Sequence, residues 1–180
     1  MRIWRLSLLL GVVALGACVP KREAPAPPLP RPQPQPQSRP APPPPPPPAA
    51  VDWTLLPLTA GGWVYRVQGE TSQALFGPRD GAAAFIVRCD RARRQVSLWR
   101  EGTTTGNTMT VRTSAGARNL PLSVQAQPLV YVWSALVAGD RLLDQIAFSR
   151  GRFTVEVPGT SMLVIPAWPE PARVVEDCRG

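Results

Sequence analysis

From about residue 60 onward, apolar and polar positions alternate in short runs, the period-two signature of half-buried strands. "WVYRV" puts Trp63, Tyr65 and Val67 on one face and Val64 and Arg66 on the other. "GETS" turns the chain, "QALFG" returns it, and "GPRDG" (77–81) turns it again by its glycine, proline and aspartate. "AAFIVRC" then directs Phe85, Val87 and Cys89 inward, and "RQVSLWR" runs back after the turn "DRAR". "GNTMTVRTS" alternates Met109 and Val111 against Thr110 and Arg112, Ala115-Gly116 suits a tight hairpin turn, and "RNLPLSV" follows. "PLVYVWSALV" reads as a longer buried strand.

The period changes in the last third. Asp140 caps a short helix over "RLLDQIAFS", with Leu142, Leu143 and Ile146 on one side and Gly151 at its end. "RFTVEV" is a strand with Phe153, Val155 and Val157 inward and Thr154 and Glu156 outward, and "MLVIP" is its partner. "WPEPARVVEDC" starts with prolines tolerated in a first helical turn, and Val174 and Cys178 share one face of that helix. Many short strands and two short helices predict a mainly β domain, a β-sandwich or barrel-like closure over residues 51–180. Its C-terminal order of helix, hairpin and closing helix ending at a cysteine is similar to exported β-rich proteins of the invasion-associated locus B type, and to a periplasmic component of type VI secretion.

Composition changes abruptly upstream. Residues 18–50 hold most of the 24 prolines, including the run from Pro42 to Pro48. Proline fixes φ and removes a donor, so this stretch is expected to be a disordered, extended polyproline II tether. At about 3.1 Å per residue it reaches on the order of 90 Å. A docking ligand for a proline-reading groove is the other reading of the same residues.

Residues 1–17 read as a secretory leader. Arg2 and Arg5 precede "LLLGVVALGA", an apolar stretch of signal-peptide length and short of the roughly 20 residues a spanning helix needs. A buried N-terminal helix would have only Pro20 and a polar run behind it. Leu15-Gly16-Ala17-Cys18 resembles a bacterial lipobox, which implies lipidation of Cys18 and cleavage just before it; ordinary cleavage after Ala17 would leave a spare thiol. Several acyl chains anchor a protein stably where one does not. Val19 stands where an inner-membrane retention signal would carry aspartate, which points to the outer membrane. The whole chain resembles proline-rich lipoproteins of Gram-negative bacteria, which implies a class of envelope protein facing the periplasm and does not point to any one activity.

Charge and cysteine count refine this picture. The net charge of +8 comes partly from the leader and tether, so it is weak evidence for nucleic acid, and export argues against that partner. With Cys18 lipidated, Cys89 and Cys178 remain as a pair in an oxidising compartment, predicting a disulfide; two buried free thiols are the alternative. The chain has no histidine, which removes the usual general base and the commonest metal ligand, and no cofactor is expected.

Three groups of side chains have a chemistry of their own. "RCDRARR" concentrates Arg88, Arg91, Arg93 and Arg94 near one turn, with Arg100 across the hairpin; this is either an anion or partner site or a solvated turn. Trp53, Trp63, Trp99, Trp133 and Trp168 are expected mostly in the core, with Trp168, between two prolines, the most exposed. The carboxylates Asp140, Asp144, Glu156, Glu170, Glu176 and Asp177 each have a simpler role than catalysis, as cap, solvent face or helix-end residue. The expected function is a non-enzymatic binding or scaffolding domain on a membrane-anchored tether, with an envelope protein or cell-wall polymer as partner. An inhibitor of a cell-wall hydrolase and a carboxylate-based glycan hydrolase are the rival readings.

Overall fold

The alternating runs build two antiparallel sheets. The computed structural model describes residues 52–126 and 128–180. The leader, the lipobox at Cys18 and the proline-rich tether lie outside the described residues. The strands, in chain order, are β1 (Gly62–Gln68), β2 (Thr71–Gly77), β3 (Phe85–Asp90), β4 (Gln95–Glu101), β5 (Thr108–Thr113), β6 (Gly116–Pro121), β7 (Ser123–Gln125), β8 (Tyr131–Val137), β9 (Arg152–Glu156) and β10 (Leu163–Pro166). A short 3-10 turn at Trp53–Leu55 precedes them, helix α1 (Arg141–Ala147) follows β8, and α2 (Pro169–Arg179) closes the chain.

One sheet has six strands in the order β1-β2-β3-β4-β8-β7, and the other has four in the order β10-β9-β5-β6. The fold is therefore mainly β with two helices near its C-terminal end, as the periodicity predicts. Period two divides each strand between two environments. Phe76, Phe85, Val87, Leu98, Met109, Val111, Phe153 and Ile165 are all buried between the layers. The Phe85 and Phe153 rings, one from each sheet, meet edge to face at 6.0 Å.

Helix α2 covers the part of this inner face that the smaller sheet leaves open. It buries Val174, Val175 and Cys178 against strands whose inward residues include Cys89 and Ala74. Cys89 and Cys178 stand at disulfide distance, with their Cα atoms 5.6 Å apart. The Tyr65 hydroxyl donates to Asp177 at 2.5 Å, and that bond, with burial, holds the phenol above its ordinary pKa. Arg173 lies 4.2 Å over the same ring. Among the described residues no helix is long and apolar enough to cross a membrane.

Four local expectations change. "PLVYVWSALV" is a strand only from Tyr131. Leu129 and Val130 before it are exposed, and so is Val137, because one side of β8 lies on the outer face of its sheet. "RNLPLSV" is two strands, because the chain leaves the four-stranded sheet after Pro121 and joins the six-stranded one at Ser123. Helix α1 ends before Gly151, at Phe148, whose N–H reaches the Asp144 carbonyl. Thr154 is buried although alternation turns it outward. It lies on an interior strand, and the segment around Leu56 and Thr59 closes on that side through Arg152 to the Leu56 carbonyl and two bonds between Thr59 and Val164.

Candidate functional site

The arginines around the β3–β4 turn do not form one site. Arg91 stands 3.8 Å from Asp177 of α2, and Arg93 pairs with Asp90 at 3.3 Å. Arg94 adopts a positive φ of 50° and donates to the Arg179 carbonyl at 2.6 Å. Arg100 is buried and donates to the carbonyls of Glu101 and Ser161. Burial pulls its pKa below the ordinary value, opposed by Glu101 and Tyr131. Arg91 and Arg94 thus tie the β3–β4 turn to α2, Arg93 stays within the turn, and Arg100 bridges to Ser161 between β9 and β10. Of the five, Arg88 alone has a side chain with neither an ion pair nor a hydrogen bond among the described residues; it is exposed and points away from the core.

Asp140, Asp144 and Asp177 are similarly engaged, whereas Glu156, Glu170 and Glu176 make no ion pair among the described residues. Asp140 accepts from Arg118 at 2.6 Å and from the Leu142 N–H at 2.8 Å, and Asp144 pairs with Arg179 at 2.8 Å. Among the described residues, histidine, cysteine and carboxylate side chains nowhere gather as three or more metal ligands.

The outer face of the six-stranded sheet has a different character. Both helices and the four-stranded sheet lie on its inner side. Register aligns Val64 with Leu75, Leu75 with Ile86, Ile86 with Trp99 and Trp99 with Trp133. Because paired residues share a face, these five form an apolar row across five strands. Trp99 and Trp133 stack at 5.2 Å with an interplanar angle of 18°, and Tyr131 meets Trp99 edge to face at 6.3 Å. The Trp99 indole N–H donates to Ser97 Oγ at 2.8 Å, and the Tyr131 hydroxyl donates to the Ala83 carbonyl at 2.8 Å, so both rings are fixed. Burial pushes the Tyr131 phenol pKa up. A parallel row of Arg66, Gln73, Arg88, Ser97 and Ala135 runs beside the apolar one.

Trp63 is the core tryptophan, with its N–H on the Pro166 carbonyl at 2.9 Å. Trp168 is 48% exposed, as its place between prolines predicts. Trp99 and Trp133 are only partly buried, and they are what the sequence reading missed. Alternation alone puts Val96 and Leu98 opposite Trp99. It does not say that, among the described residues, one side of β4 is left without a covering layer.

At the β1–β2 end the row opens into a cleft of about 710 Å³. Val64, Leu75 and Arg66 come from the sheet, Pro78, Arg79, Gly81 and Ala83 from the β2–β3 loop, and Trp168 from the start of α2. No protein-family model matches the chain, and no curated protein or solved structure matches it.

Proposed function

We propose that this chain is a lipid-anchored envelope protein whose β domain is a binding module held off the membrane by its proline-rich tether. The observation that carries the binding reading is the outer face of the six-stranded sheet, which no described residues cover, with its row from Val64 to Trp133. Contiguous apolar surface is rare on a domain that functions alone, and Trp, Tyr and Arg are the residues that dominate binding surfaces. Fixed aromatic rings also lose little entropy when a partner covers them. The engaged state of Asp140, Asp144 and Asp177 favours this reading over carboxylate chemistry. Anchoring rests on the lipobox, and the partner class is an envelope protein or cell-wall polymer.

The test compares full-length protein with Cys18→Ala and with a chain truncated after Ala50, each crosslinked in cells and purified. Wild type is expected in the membrane fraction with a partner that the truncated chain does not capture, and Cys18→Ala is expected in the soluble periplasm. Capture of the same partner by the truncated chain would move binding to the tether. Retention of Cys18→Ala in the membrane would remove the lipid anchor from the account.

A further inference from the structure

The cleft at the β1–β2 end differs chemically from the rest of the outer face. Its two charged lining residues are Arg66 and Arg79. Neither makes an ion pair among the described residues, whereas Arg91, Arg93, Arg118 and Arg179 do. No carboxylate lines the cleft. Asp80 follows Arg79 in the loop but is not among the lining residues, so the two guanidinium groups beside apolar walls leave the cleft lining positive, a charge that an anion relieves.

The shape of the cleft comes from glycines. Gly62 and Gly77 face each other across the β1–β2 pair. A Cβ on Gly77 would meet the backbone of Ala82 and Ala84 at 3.0 Å, because the β2–β3 loop closes onto that strand. A Cβ on Gly62 would meet nothing within 4 Å. The hollow therefore lies over Gly62, and its floor is main chain. β1 is an edge strand among the described residues, so one side of it has no strand partner there. Trp168 contributes a half-exposed indole at the rim.

We propose that this cleft binds a saccharide bearing an acid group, with the acid held by Arg66 and Arg79 and a sugar ring lying on Trp168. The inference rests on the envelope binding-module reading and names the ligand class for one end of that surface. Arginine forks match carboxylate and phosphate oxygens two at a time. The negative face of an indole attracts the electropositive C–H face of a pyranose ring. The main-chain edge of β1 beside the hollow suits a hydroxyl-rich ligand, and the volume lies in the range of small-ligand sites. Carboxylated and phosphorylated sugars share this chemistry, and the binding test separates them.

The test is calorimetric titration of the full-length protein, purified from membranes in detergent. The probes are an N-acetylglucosamine–N-acetylmuramic acid disaccharide, a glucosamine disaccharide phosphate, neutral di-N-acetylchitobiose and a tetraglutamate peptide. At least one acidic sugar is expected to bind about tenfold or more tightly than the neutral one, and the stronger of the two identifies the acid group. Arg66→Ala and Arg79→Ala are each expected to weaken binding about tenfold, the loss expected for a hydrogen-bonded charge. Gly62→Leu fills the hollow and is expected to abolish binding with the melting temperature unchanged. Arg88→Ala, on the same face but outside the cleft, is expected to stay within twofold. Equal binding of the neutral sugar, binding of tetraglutamate alone, no binding at all, or indifference to Gly62→Leu would each overturn the proposal. A partner captured at the aromatic row would leave the binding-module reading standing in any of those cases.

Discussion

Asp140 shows how much one side chain does at the junction of β8 and α1. Its carboxylate accepts from the first-turn N–H of Leu142 and from Arg118 on β6, so it caps a helix and ties it to the smaller sheet. Burial alone would raise its pKa, but those two bonds and the Arg118 charge outweigh it and hold the carboxyl below its ordinary value. A depressed carboxyl contributes stability that is present above the unfolded pKa of about 3.9 and lost as pH falls through the folded value. Asp140→Ala is expected to lower stability by about 1 kcal/mol at pH 7 by urea denaturation, the usual cost of a lost cap. The gap from wild type is expected to narrow as pH falls below about 4 and to close only beneath the lowered folded value, where the wild-type carboxyl protonates. A gap unchanged by acid would mean the carboxylate charge has no part in it. This cap, and the inward stripe of Leu142, Leu143 and Ile146, were legible in the sequence because capping and helical spacing are local. The roles of Arg91 and Arg94 were not, because Asp177 and the Arg179 carbonyl come from the far end of the chain.

At the scale of elements, α2 has two tasks. It covers the inner face of β1 to β4 where the second sheet does not reach, and it brings Cys178 to Cys89 across 89 residues of sequence. A cross-link over a loop of that length stabilises by about 4 to 5 kcal/mol in the chain-entropy picture. Guanidinium denaturation with and without reductant measures it. The reduced protein is expected to lose most of that amount, and a difference under about 1 kcal/mol would mean that α2 is held by packing alone. Both ends of this link follow from periodicity: Cys89 falls at the inward phase of β3, and Cys178 shares a helix face with Val174. The break between β6 and β7 was less visible. Pro121 sits at a strand end, where proline is tolerated, and the residues on either side of Leu122 are equally compatible with one strand. Only the competition between two sheets for partners separates them.

Seen whole, the described residues form a sandwich with one sheet face filled and another left bare. The sequence shows two classes of position on each strand, but which class meets a covering layer depends on where α2 and the smaller sheet dock. That is a tertiary outcome, and it is why Trp99 and Trp133 were expected in the core and are found on the outer face. The same face carries the cleft at one end and the stacked indoles at the other, so a partner covering the row would lie next to Arg66 and Arg79. The most direct measurement is site-specific photo-crosslinking in cells. A photoreactive phenylalanine replaces Trp133 on the aromatic row or, as a control, Ala117 on the exposed outer side of the four-stranded sheet. The account predicts a discrete adduct from position 133 and none from position 117. Adducts of equal yield from both positions, or from position 117 alone, would contradict the claim that the outer face of the six-stranded sheet is the binding surface.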